Sequence, residues 1–224
     1  MEQFGPLYCE TPVPIGGPFP IEPWNAISSG VIVLFGLAGW WLVYRRAPKD
    51  LVLHALCFML VLNGTGSILW HGLRTRWALT LDVFPAIVFV LLAAFLWARR
   101  VVPLWQAAAA LAALILLPMA LRYLPVDLPG GGMVLRGAVI VAAGVWLVAV
   151  TLPLSRAAAA SGAAALALAI TALVFRSIDR WSCDHIAHGS HFLWHVFLSA
   201  AAFMLVLTIV QLKDRTPSFP APRA

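Results

Sequence analysis

Charge is scarce in this chain. Asp, Glu, Lys and Arg make up 11% of its 224 residues, and the acidic ones number nine. A soluble domain carries about 25% charged residues, so the shortfall excludes an ordinary water-exposed fold. It also leaves no polar stretch long enough for a separate soluble catalytic domain, and no nucleic-acid partner is expected. Lys and Arg are missing altogether from Met1 to Pro23, a segment with several Pro and Gly. Without a basic n-region or an apolar h-region this is no secretory signal, and the segment is expected to stay in the mature protein. Cysteine is rare too, at three residues.

Apolar residues fill the space. They reach 62% of the chain, with a mean hydropathy of +0.92, against about 45–50% for soluble proteins. This is the composition of an integral membrane protein. A crossing of the ~30 Å hydrocarbon core takes about 20 apolar residues, so the chain has room for seven. Runs between charged or Pro/Gly-rich breaks place them at 25–44, 51–73, 78–98, 101–121, 133–153, 157–176 and 190–212. Short connections make neighbours antiparallel. The sequence therefore predicts an all-α membrane protein, a seven-transmembrane helix bundle over 25–212. An extramembrane segment, 1–24, precedes it, and a short cytoplasmic tail, 213–224, follows.

Basic loop residues set the orientation. Arg45, Arg46, Lys49, Arg99, Arg100, Arg156, Lys213, Arg215 and Arg223 collect on one face. Arg74, Arg76, Arg122, Arg176 and Arg180 lie on the other, with Arg136 near the start of span five. The bias puts the N-terminus outside and the C-terminus in the cytoplasm, as in a multi-pass protein of a bacterial inner membrane with its site toward the periplasm.

That orientation brings the costliest residues to one depth. Ser67 and His71 end the second span, Asp82 opens the third, and His191 and His195 open the seventh. Ionisable groups inside apolar spans are expensive and point to function. Residues four apart share a helix face, so Ser67 pairs with His71 and His191 with His195. Three imidazoles with an open fourth position form the pattern of catalytic zinc, which activates a water near neutral pH. Asp82 can take that water's proton, and Ser67 can donate to a developing oxyanion. Spacing alone leaves His185 and His188 as competing ligands. Gly189 and Ser190 resemble a helix start, with Ser190 as N-cap, which would leave those two in a loop. His54 lies ~25 Å down the second helix from His71, at the inner face, where its part is structural.

Glu10 and Glu22 precede the first span on the same side. Such carboxylates can bind a hard cation such as Ca2+, cap a helix, or pair with Arg74, Arg76 or Arg180. Glu22 and Asn25 can also serve as helix-start residues favoured by the dipole. Cys57 falls inside span two as an inert core thiol. Cys9 and Cys183 both map to the outer face, where an oxidising compartment permits a disulfide between them.

The strings YCE, IEPWNAISSG, GTGSILWHG, LDVFPA, IDRWSCD and GSHFLWH occur in that order between Tyr8 and His195. In order, spacing and chemistry they resemble the alkaline ceramidase family of seven-span zinc hydrolases, in particular its bacterial members, which are related to the adiponectin and progestin receptor proteins. The resemblance implies zinc on His71, His191 and His195, with Ser67 and Asp82 beside the metal's water. It also implies hydrolysis of the amide of a ceramide-like lipid drawn from the bilayer, releasing a fatty acid and a sphingoid base. Glu10 and Glu22 match an acidic motif that binds calcium in eukaryotic members, although an Asp and an Asn of that motif fall on Leu7 and Pro12. Two other classes stay open. One is a non-catalytic seven-span receptor that keeps zinc for structure. The other is a cytochrome, for which His54 lacks a partner at its depth.

Overall fold

The computed structural model describes residues 5–120 and 131–213, with the side chains of 131–136 left aside. Its seven helices are α1 (Pro23–Arg46), α2 (Leu51–Leu73), α3 (Arg76–Val101), α4 (Leu104–Ala120), α5 (Gly131–Thr151), α6 (Arg156–Ser182) and α7 (His191–Gln211). No strand occurs among the described residues. Five of the helices, α1, α2, α3, α6 and α7, are long and apolar enough to cross a membrane, as in a multi-pass membrane protein. The tail expected at 213–224 lies outside the described residues apart from Lys213.

Consecutive helices pack side by side, and α7 closes the ring against α1, with α3 reaching across to α5 and α7. One end of the ring is a dry core. Val43, Leu53, Leu56, Cys57, Trp97, Val206, Ile209 and Leu212 are buried together there. Its rim is tied by Arg100 on Asp50 at 3.1 Å and by the Trp97 indole donating to Thr151 at 2.8 Å. His54 belongs to this end, with its Nε2 3.1 Å from the Pro48 carbonyl. The opposite end is polar inside: Glu22, Asn25, Ser28, Ser29, Ser67, His71, Asp179, His191 and His195 are all buried.

Two helix ends differ from the sequence expectation. The apolar run of α6 stops near Arg176, yet the helix continues to Ser182, because backbone hydrogen bonding persists where hydropathy falls. Its last turns carry Asp179 over the start of α7. Ser190 does occupy the N-cap of α7, but its side chain does not cap. Its hydroxyl donates to the Phe175 carbonyl at 2.7 Å. Asp179 Oδ1 caps instead, accepting from the backbone N–H of Ser190 at 2.8 Å and of His191 at 2.9 Å.

Gly189 makes this junction possible. Its φ of +65° lies in the left-handed region, and a Cβ there would stand 2.2 Å from Asp179 Oδ1 and 2.6 Å from Cys9. Only glycine accepts both conditions. Upstream, His185 and His188 lie in the turn before α7, as the Gly-Ser signal implied.

Candidate metal centre

Three imidazoles converge at the polar end. One ring nitrogen from each of His71, His191 and His195 lies within 4.8 Å of the others, and all three side chains are buried. Ring centroids stand 4.7 Å apart for His191 and His195, 5.0 Å for His71 and His195, and 5.4 Å for His71 and His191. The i, i+4 spacing delivers the α7 pair to one face. His71 arrives from the last turn of α2. Among the described residues this is the one cluster of metal-binding side chains.

The ring nitrogens divide into two sets. Glu22 Oε2 meets His71 Nδ1, leaving His71 Nε2 buried without a hydrogen-bond partner. His195 Nδ1 is held by Ser28 Oγ at 2.8 Å. His191 Nδ1 is buried and without a partner. Unpaired buried polar atoms cost about 1–3 kcal/mol each, so two of them facing a third histidine is an arrangement that a cation relieves. The donor set of three imidazoles fits a borderline metal.

The support for His71 is built from backbone. The last carbonyls of a helix have no intrahelical donor. In α2, those of His71 and Gly72 accept from Glu22 N at 2.9 Å and Ile21 N at 3.1 Å. This pairing lays Glu22 directly against His71. The other carboxylate oxygen of Glu22 accepts from the Thr11 hydroxyl at 2.6 Å, and Arg74 approaches it at 3.3 Å. Burial holds the Glu22 carboxyl above the usual carboxylate range, against the opposing pull of Thr11 and Arg74. Of the roles open to Glu22 in the sequence, pairing with Arg74 is realised. Helix capping is not, since its side chain makes no cap bond.

Glu10 takes the capping role. Its carboxylate accepts from the N–H of Trp24 at 2.6 Å and of Asn25 at 2.9 Å, the first turn of α1. Partial burial raises its carboxyl above the usual range, and these two donors work the other way. Tyr8, two residues earlier, stacks on His191 with ring centroids 3.9 Å apart. Cys9 is joined to Cys183, as the shared outer face of the two thiols suggested. The Cys9 N–H donates to Asp179 Oδ2 at 3.1 Å. The N-terminal segment is thus strapped over the histidines by a covalent bond and several hydrogen bonds.

Asp82 and Ser67 meet beside the cluster. Ser67 Oγ accepts a 3.1 Å hydrogen bond from Ser29 Oγ. Asn63 Nδ2 donates to the Asp82 carbonyl at 2.6 Å and to its carboxylate at 3.1 Å. Two backbone features allow this. Pro85 sits inside α3, and its missing N–H removes the donor for the Leu81 carbonyl four residues back. Gly66 of α2 lies against that carbonyl, so close that a Cβ would come within 2.2 Å of Leu81 O and 2.6 Å of Asp82 N. The two helices touch backbone to backbone where Ser67 must reach Asp82.

All five residues expected at the cluster, Ser67, His71, Asp82, His191 and His195, therefore gather at one end, and Glu10 and Glu22 join them in the surrounding frame. Sequence reasoning missed Tyr8, Ser28, Ser29, Asn63 and Asp179. Ser28 and Ser29 carried a readable signal: a polar pair one to two turns into the first apolar run, at the depth of the histidines. Asp179 carried one too, as an acid at the end of an apolar helix. Tyr8 and Asn63 had none that spacing could supply. No protein-family model matches the chain and no curated protein matches it in sequence, so the chemistry of the site is read from its own residues.

Proposed function

We propose that this chain is an intramembrane zinc-dependent amidohydrolase that cleaves the amide of a ceramide-like N-acyl lipid to a fatty acid and a sphingoid base. The observation that carries the reading is the pairing of two unpartnered buried imidazole nitrogens, on His71 and His191, with a separate carboxylate, Asp82, held nearby by Asn63. A closed structural metal site has no need of such a carboxylate.

His71, His191 and His195 would hold zinc, which when bound would supply Lewis acidity and a water of lowered pKa. Asp82 accepts the proton of the attacking water and returns it to the departing amine nitrogen, so that amide and water become acid and amine. Asn63 fixes the Asp82 backbone and carboxylate for this transfer. Ser67, accepting from Ser29, offers its hydroxyl proton to the carbonyl oxygen as charge develops on it. Half-buried Tyr8 and buried Glu22 and Arg74 keep bulk water away from the histidines.

The reading includes seven membrane spans, with α4 and α5 crossing as well, and an N-out, C-in orientation. The Cys9–Cys183 disulfide supports it, because disulfides persist in oxidising compartments such as the bacterial periplasm. So does the collection of Arg45, Arg46, Arg99, Arg100 and Arg156 at the far end. Acyl chains would reach the site laterally from the bilayer. Calcium enters the reading only by displacing the partners that Glu10 and Glu22 already have, so both carboxylates are assigned to the protein frame.

The test is direct. Purified protein is incubated with a panel of ceramides and other N-acyl lipids, with and without a zinc chelator, and released fatty acid is measured by mass spectrometry. Chelator-sensitive release is expected, together with stoichiometric zinc that is lost in His191→Ala. Zinc content indifferent to His191→Ala would refute the site, and no release from any amide would refute the hydrolase.

A further inference from the structure

Arg176 lies in α6 one turn before Asp179, on a helix apolar enough to cross a membrane. A guanidinium at such a position is costly and normally finds a partner. Its obvious partner is Asp179, three residues on along the same helix. Asp179, however, spends its carboxylate on the backbone N–H groups of Cys9, Ser190 and His191. No ion pair to Arg176 occurs among the described residues. Its side chain is exposed and lies over the ring of Trp194, 4.9 Å from the centroid. Trp194 stands between His191 and His195 on α7, so the guanidinium is laid along the edge of the histidine cluster. It lies close enough for its charge to reach His71, His191, His195, Asp82 and Tyr8.

Two other charged groups beside the histidines have partners of their own. Arg74 faces Glu22, and the Asp82 carboxylate accepts from Asn63. Arg176 has no ion pair among the described residues, and a metal ion on the histidines would add positive charge beside it. A neutral lipid amide offers the guanidinium no counter-charge. A planar, permanently charged guanidinium stacked on an aromatic face is the usual receptor for a carboxylate or phosphate, which it binds through two parallel N–H donors.

We infer that Arg176 is a specificity-determining residue that selects N-acyl lipids carrying an anionic group, a carboxylate or a phosphate, close to the amide nitrogen. The inference rests on the amidohydrolase reading for the amide and adds the acidic head group. It narrows the substrate class from neutral ceramides to acidic N-acyl amines.

Three probes with one acyl chain test it: N-oleoylglycine, the neutral N-oleoylethanolamine, and N-oleoylethanolamine phosphate. Binding to the purified full-length protein is followed by native mass spectrometry, and hydrolysis of the same probes by oleate release. At least one acidic probe should bind more tightly than the neutral one by about tenfold, the worth of a charge-assisted hydrogen bond. The carboxylate and phosphate arms report which acid is preferred. Arg176→Gln should bring the ratio close to one, and Arg176→Lys should restore part of it while serving as the check on folding. A ratio near one in the unaltered protein, or a ratio that survives Arg176→Gln, overturns the inference. So does binding of oleate itself more tightly than either acid and with the same Arg176 dependence, which assigns the residue to product. Hydrolysis of the neutral amide without an Arg176-dependent preference removes this inference and leaves the hydrolase. Arg176-dependent binding without hydrolysis of any probe does the reverse.

Discussion

Glu22 and His71 share a fully buried contact between carboxylate and imidazole Nδ1. That contact fixes which nitrogen of His71 faces the cluster. A metal-binding histidine commonly donates its other ring N–H to a carboxylate, which orients the ring and raises its basicity. Losing such a partner typically weakens metal binding by about 10- to 100-fold. Glu22→Gln, which keeps the shape and removes the charge, is expected to weaken zinc binding by that amount in competition against a calibrated chelator. Unchanged zinc affinity would remove Glu22 from this role.

Asp82 separates catalysis from mere metal binding. Asp82→Asn should retain zinc, since its carboxylate is not among the clustered ligand atoms. It should lower amide hydrolysis by about 10²–10⁴-fold, the usual worth of a positioned general base. Metal analysis and turnover on one preparation provide the check. Full activity in the variant would assign the proton transfer elsewhere.

Gly66 sets the distance between α2 and α3. The Cβ of Gly66→Ala would collide with backbone atoms of Leu81 and Asp82 rather than with a flexible side chain. Overpacking of this kind costs about 1–3 kcal/mol, and relief requires the helices to part at the Ser67 and Asp82 contact. A lowered melting temperature, with activity reduced more than the loss of folded protein accounts for, is expected. A variant with unaltered melting temperature and turnover would show that the two helices separate freely.

The disulfide closes a span of 174 residues. Peptide mapping without reduction should recover Cys9 linked to Cys183, and free alkylated thiols at both positions in native protein would refute the link. Removing a native disulfide commonly costs about 2–5 kcal/mol. The double variant Cys9→Ser with Cys183→Ser is therefore expected to melt earlier and to be cut faster in the first twenty residues by added protease.

The histidine cluster was legible because its logic is local. The i, i+4 pair on α7 and the Ser67/His71 pair on α2 follow from helical periodicity, and antiparallel spans bring them to one depth. Helix boundaries were legible where hydropathy and hydrogen bonding end together, as in α2, whose expected and observed limits are both 51 and 73. They were not legible in α6, where a helix outlasts its apolar run. The roles of Glu10 and Glu22 were open for a different reason. A carboxylate in a Pro-rich segment has several chemically equivalent partners, and only the path of the chain over α2 selects among them. Asp179 capping α7 in place of Ser190 is the same lesson, since a residue eleven positions away outcompeted the local one.

The strap across the site also orders events in time. Two of the three clustered histidines belong to α7, and the residues of the strap over them, Tyr8 and Cys9, are among the first synthesised. The earliest part of the chain must therefore wait for the last helix to form before it has anything to cover. A half-made or C-terminally shortened chain has one histidine of the three and an unanchored strap. Metal loading then becomes a property that only the completed chain acquires.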